Sequence, residues 1–252
     1  MTSLWTEALS AAPLWIKTGG IALASTLGAL LLALPVGWAL ARRRSGLLLG
    51  LVLALAVLPT SLSAIGWIAA FGAQGLLCLP WLYTPAGVAL AWALCFWPLA
   101  ALGAWGALSR AEPAEEEAAL LSLTPWQAAW GLVLPRALTG LLASGVAVFL
   151  LMLGDLGVPG SLSVPVGAEA VHARFSSTFR ASAALGSSLP MLVLALVAVL
   201  LCRRGLRGLG SPAPASRSGR MEGITRAASA LAWVLALATL MIPAWALAGW
   251  AW

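Results

Sequence analysis

Residues 110–135 read RAEPAEEEAALLSLTPWQAAWGLVLP, the one long polar interruption with internal order in an otherwise apolar chain. Four of the eight acidic residues, Glu112, Glu115, Glu116 and Glu117, fall within it. Pro113 suits a first helical position, where its missing N–H is not needed, and the acids after it favour the positive end of the helix dipole. Thr124, Pro125 and Gln127 spell a second start, a capping box with proline in its first turn. The stretch is therefore predicted to fold as helix, break, helix. Trp126, Trp130 and Val133 or Leu134 recur at helical spacing, giving an apolar stripe on a segment too short to cross a bilayer. It is expected to lie at a membrane surface and to serve as a docking element.

The rest of the chain supplies the membrane. Of 252 residues, 62% are hydrophobic and 9% charged, with a mean hydropathy of +0.98. The apolar excess comes in runs of about 20 residues, the length that crosses a bilayer. A net charge of +6 could suggest nucleic acid, but the arginines flank hydrophobic runs instead of forming a basic face. Cys78, Cys95 and Cys202 have no CxxC spacing, which argues against a metal or disulfide framework.

Six spans are expected. Residues 1–19 form an interfacial lead-in without the basic start of a signal peptide. Gly20–Leu40 is the first span, stopped by Arg42, Arg43 and Arg44. Leu47 to about Phe71 is the second, with Pro59 and Gly66 midway, where it could bend. Pro85–Leu108 is the third, Leu138 to about Val158 the fourth, and Leu189–Cys202, extended by Ala183–Ser188, the fifth. Residues 205–226 read as a cytoplasmic linker rich in Gly, Ser, Pro and Arg. Residues 227–252 carry the sixth span. On this topology eleven of the fourteen basic residues share a side with 110–135, leaving Lys17, Arg174 and Arg180 opposite. That bias places 110–135 in the cytoplasm.

Glu116-Glu117-Ala118, Ser122, Pro125-Trp126 and Leu134-Pro135 together resemble the EAA loop of ABC-transporter permease subunits. That pattern runs Glu-Ala-Ala, three residues, Gly, then Pro-Trp and a closing Leu-Pro. In the register fixed by Pro125-Trp126, Glu117 stands at the first alanine, Ala119 at the usual basic position and Ser122 at the glycine. The alternative register, Glu117-Ala118-Ala119, keeps the letters and shortens the spacer by one. The resemblance implies an all-α type I ABC-importer permease bundle with a cytoplasmic coupling helix in 109–135, in a bacterial inner membrane. It also implies an ABC ATPase subunit on the cytoplasmic face, an external solute-binding protein, and a second permease domain, as a homodimer or a tandem repeat. Glu116 or Glu117 would make polar contacts with the ATPase, Ala118 and Ser122 would serve packing and the turn, and Trp126 would fill its groove. Pro125 and Pro135 would bound the second helix.

Residues 20–204 resemble the five-helix permease core, and 227–252 resembles the opening helix of a second repeat. Six spans leave both ends outside, so the alternatives are a displaced start, a piece of a two-repeat permease, or a chain with both ends outside.

Asp155, in Leu153-Gly154-Asp155-Leu156-Gly157-Val158-Pro159, is the acid nearest the hydrophobic interior. It either faces the translocation path or accepts hydrogen bonds where a helix gives way to the turn. Its segment is similar, more softly, to iron(III) and related permeases, leaving thiamine, phosphonates, polyamines or an oxyanion open as cargo. His172 is a lone histidine and reads as a solvated loop residue. With no GxxxxGK[ST] and no HExxH the chain is expected to be a transport subunit without an ATPase site, catalytic residue, metal or cofactor. A polytopic membrane enzyme and a structural subunit of a membrane complex are the alternative classes.

Overall fold

The structure, a computed structural model, describes residues 2–43, 45–73, 75, 77–109, 113–206 and 221–250, with side chains except at 2–5, 113–117, 136, 137, 139, 202–206 and 250. Glu112 and most of the expected linker lie outside the described residues. Every regular element among those described is helical: α1 (Thr2–Arg43), α2 (Gly46–Val57), α3 (Thr60–Phe71), a 3-10 turn (Pro80–Tyr83), α4 (Pro85–Leu108), α5 (Pro113–Ser122), α6 (Pro125–Ala128), a π turn (Ala129–Val133), α7 (Leu134–Gly154), α8 (Gly157–Ser161), α9 (Gly167–Thr178), α10 (Ala181–Leu206) and α11 (Glu222–Trp250).

Residues 1–19 do not form a separate lead-in, because from Thr2 onwards they are the first turns of α1. The Thr18 hydroxyl donates to the Leu14 carbonyl at 2.8 Å, and Trp15 is buried with its Nε1 donating to Ser187 O of α10 at 2.8 Å. Packing thus holds the helix through Gly19-Gly20. The second expected span is broken. Pro59 restricts Leu58 to an extended backbone (ψ 132), and the axes of α2 and α3 turn by 96° there.

Four helices, α1, α4, α10 and α11, contain stretches long and apolar enough to span a bilayer, and the broken α2–α3 pair could make a fifth. The molecule is a multi-pass membrane protein. α7, which holds the expected fourth span, has a shorter apolar stretch, Gly140–Gly154, among the residues with described side chains. The stretch around His172, expected as a loop, instead carries α8 and α9, and α10 starts at Ala181, close to the expected extension of the fifth span.

Contacts fix the helix directions. Gly28 and Gly37 of α1 face Ala93 and Ala104 of α4, and Trp15 and Gly19 meet Ser187 and Leu194 of α10, so these three helices run parallel. Thr26 meets Met152 while Leu30 meets Gly145, so α7 runs against them. Trp38 meets Thr225 and Trp97 meets Thr239, so α11 does too. The ends of α1, α4 and α10 and the starts of α2, α7 and α11 therefore share one face, marked by Arg42 and Arg43. Small residues line the crossings, as expected where close packing replaces a hydrophobic driving force. Leu27 and Leu31 of α1, Leu192 and Leu196 of α10 and Leu231 of α11 point outward, an arrangement suited to hydrocarbon.

Candidate functional site

The arginine-side stretch folds from the capping chemistry already noted. α5 begins at Pro113 and ends at Ser122, and Leu123 and Thr124 form the break. The Thr124 hydroxyl accepts from Gln127 N at 3.3 Å, while Thr124 N donates to Gln127 Oε1 at 3.0 Å, completing the capping box. Pro125 takes the first helical position.

The second helix differs from the expected surface segment. α6, the π turn and α7 follow one another without leaving helical backbone, making a single rod from Pro125 to Gly154, roughly 45 Å long. Pro135 accounts for the wide turn just before it: it lacks an N–H for the Gly131 carbonyl and its ring crowds that group. The apolar stripe of Trp126 and Trp130 therefore belongs to the first turns of a helix that continues into the bundle. Their rings pack at 5.4 Å, yet each remains about half exposed or more. Ala118 and Ser122 are exposed on α5, and Pro135 is exposed on α7. The side chains of Glu116 and Glu117 lie outside the described residues, although α5 carries both positions.

Asp155 follows the other end of the rod and caps the start of α8. Its Oδ1 accepts from Thr60 Oγ1 at 2.5 Å and Gly157 N at 3.3 Å, and its Oδ2 accepts from Trp92 Nε1 at 2.7 Å and Val158 N at 3.1 Å. One carboxylate thus ties together α3, α4, α7 and α8. Trp92 lies roughly 10 Å along α4 from Pro85, so the cluster sits below the end of the bundle. Gly157 lies so close to Thr60 and Ser61 that a side chain there would collide with α3. Of the two readings of Asp155, the geometry matches the second: it accepts hydrogen bonds where the helix gives way to the turn.

Sequence reasoning missed Thr60 and Trp92. Pro59-Thr60 did carry a signal, a helix restart after proline, whereas nothing local marks Trp92 as a partner of Asp155.

A second polar assembly joins α9 to α1. Gly167 N donates to Thr18 Oγ1 at 2.9 Å, and Gly167 itself packs on the Trp15 ring with no room for a side chain. Arg174 pairs with Glu7. His172 is exposed on α9, and among the described residues no group of three or more His, Cys, Asp or Glu could hold a metal. Sequence comparison finds no relative: the chain matches no protein-family model and no curated protein.

Proposed function

We propose that the chain is a transmembrane permease subunit of a bacterial ABC importer, working in the inner membrane with a separate ATPase, an external solute-binding protein and a second permease domain. One observation carries this reading beyond the motif: a continuous helical rod joins the EAA-like stretch to the Asp155 cluster. A docked ATPase that closes on nucleotide would push α5 and the start of the rod. Because a helix is stiff along its axis, the displacement would reach the point where α3, α4 and α8 are tied to Asp155. Such a push is the kind of rigid-body input that switches a bundle between two arrangements.

Glu116 and Glu117 supply charge towards the ATPase, Ala118 and Ser122 the close approach and the turn, and Trp126 the apolar anchor. Pro125 and Pro135 set where the rod starts and where its first turn widens. Iron(III) is the first cargo to test, on the softer similarity around Asp155.

The experiment is affinity purification of the full chain from native membranes in mild detergent, with mass spectrometry of what accompanies it. The expected result is an ATPase subunit that is lost on combining Glu116→Ala, Glu117→Ala and Trp126→Ala while the chain still inserts. A stable chain that brings no ATPase would overturn the reading. An ATPase retained by the triple variant would remove these residues from the contact. If uptake persists with a hydrolysis-dead ATPase, the chain is a structural subunit instead.

A further inference from the structure

On the face opposite Arg42 and Arg43, the turn between α8 and α9 and the first turns of α9 line a cavity of about 360 Å³. Ser163 reverses the chain there in the left-handed region (φ 55), and two hydrogen bonds hold the turn, Ser163 N to Gly160 O at 3.3 Å and Val164 N to Pro159 O at 3.1 Å. Pro165, Val166, Ala170 and Ala173 make the walls largely apolar, and Ser163, Pro165 and Ala173 are exposed at the rim. α9 is itself pinned to α1, because Gly167 N donates to Thr18 and Gly167 packs on Trp15. The cavity therefore has a fixed frame.

One carboxylate belongs to it. Glu169 lines the cavity, and its Oε2 is buried with no hydrogen-bond partner. Nearby donors are committed elsewhere, the Gly167 N–H to Thr18 and the Arg174 guanidinium to Glu7. The other acids with described side chains, Glu7, Asp155 and Glu222, each have a donor. A carboxylate oxygen withdrawn from water without one is costly, so Glu169 is suited to a partner that brings both a donor and a positive charge. The donor set does not suit a metal ion, since no group of three or more His, Cys, Asp or Glu gathers among the described residues. The size points to an organic ligand. A cavity of about 150 Å³ holds a benzene, so this one takes roughly a dozen non-hydrogen atoms.

We propose that this cavity binds a small organic monoamine, its ammonium group donating to Glu169 Oε2 and its hydrocarbon body lying against Pro165, Val166 and Ala170. A second ammonium group would find no second carboxylate among the lining residues. A neutral hydroxyl could donate but would leave the carboxylate charge unopposed. The combination of one enclosed carboxylate and apolar walls therefore selects a single positive charge on a compact apolar body. The site uses neither residues 110–135 nor Asp155, so it stands whether or not the chain is a permease.

The test is equilibrium dialysis of radiolabelled phenethylamine against the full chain in lipid nanodiscs, with protein-free nanodiscs to subtract partition into lipid. Binding should saturate at one molecule per chain. Unlabelled 2-phenylethanol, which has the same shape without the charge, should compete about tenfold less well than unlabelled phenethylamine, and Glu169→Gln should weaken binding by about the same factor. Ala173→Trp, at the exposed rim, should block entry with the carboxylate still in place. Should Glu169→Gln fail to fold, the rim variant and the alcohol competition still decide. Binding that never saturates, that 2-phenylethanol matches, or that a folded Glu169→Gln chain retains in full would overturn the proposal, as would displacement by calcium at lower concentrations than by the amine.

Discussion

Thr124 and Asp155 sit at opposite ends of the same helical rod, and each caps a helix start in different company, Thr124 that of the rod and Asp155 that of α8. Thr124 takes its partner from three positions along the chain, Gln127, and its side-chain oxygen remains at an exposed site. Asp155 also caps locally, through the N–H groups of Gly157 and Val158, but its other two donors are separated from it by 63 and 95 residues. The difference lies in what each removal leaves behind. Without Thr124, water can satisfy the freed N–H. Without Asp155, donors from three other helices lose their common acceptor inside the bundle. One end of the rod is a replaceable boundary and the other is a tertiary junction.

The sharpest way to break this contrast is Asp155→Ala. Hydrogen bonds between membrane helices contribute about 0.6 kcal/mol each on average and up to about 1.7. Losing four, with their donors left enclosed, should cost about 3 kcal/mol. Thermal unfolding in detergent should show a large downward shift, with Asp155→Asn intermediate because an amide oxygen still accepts. An unchanged midpoint for Asp155→Ala would mean that packing alone holds the junction.

Smaller, and a control on that packing, is a pair of glycines one turn apart on α4. Gly103 lies against the Cβ of Ser144 on α7 with no space for a methyl group, whereas nothing approaches Gly106 within 4 Å. Gly103→Ala should cost about 1–3 kcal/mol by forcing α4 away from the rod. Gly106→Ala should be neutral or stabilise by up to about 1 kcal/mol, since alanine is the better helix former. Equal effects in unfolding measurements would show that the α4–α7 contact is looser than described.

The same contrast explains what could be read from the sequence. Pro113, Thr124 with Gln127, and Pro85 announce helix starts through groups a few residues apart, and the structure begins helices at these places. The apolar runs likewise announced the spans of α4 and α11. What stayed hidden depends on partners remote in sequence. Nothing near Trp92 points to Asp155, and nothing in GAEAVHARFSST (167–178) tells that Trp15 and Thr18 will hold its first turn against α1. The stripe of Trp126 and Trp130 was visible, but not that the rod continues past Pro135, because proline there reads as a boundary while a widened turn lets the helix run on.

The smallest expected effect belongs to Thr124→Ala. An N-cap lost to alanine costs about 1 kcal/mol in ordinary helices, and here the hydroxyl serves the Gln127 N–H while Thr124 N keeps its own bond to Gln127 Oε1, so only half of the box is lost. Global unfolding should therefore move little. The rod, however, begins at this residue, and a frayed first turn would shorten it from the end that receives any push. Amide exchange at Gln127 and Ala128 should rise severalfold while exchange around Met152 and Leu153 stays unchanged. If the proposed coupling is right, transport should fall further than stability does. Matching losses in both would mean that the cap matters only for folding, and the start of the rod would then have no separate part in transmission.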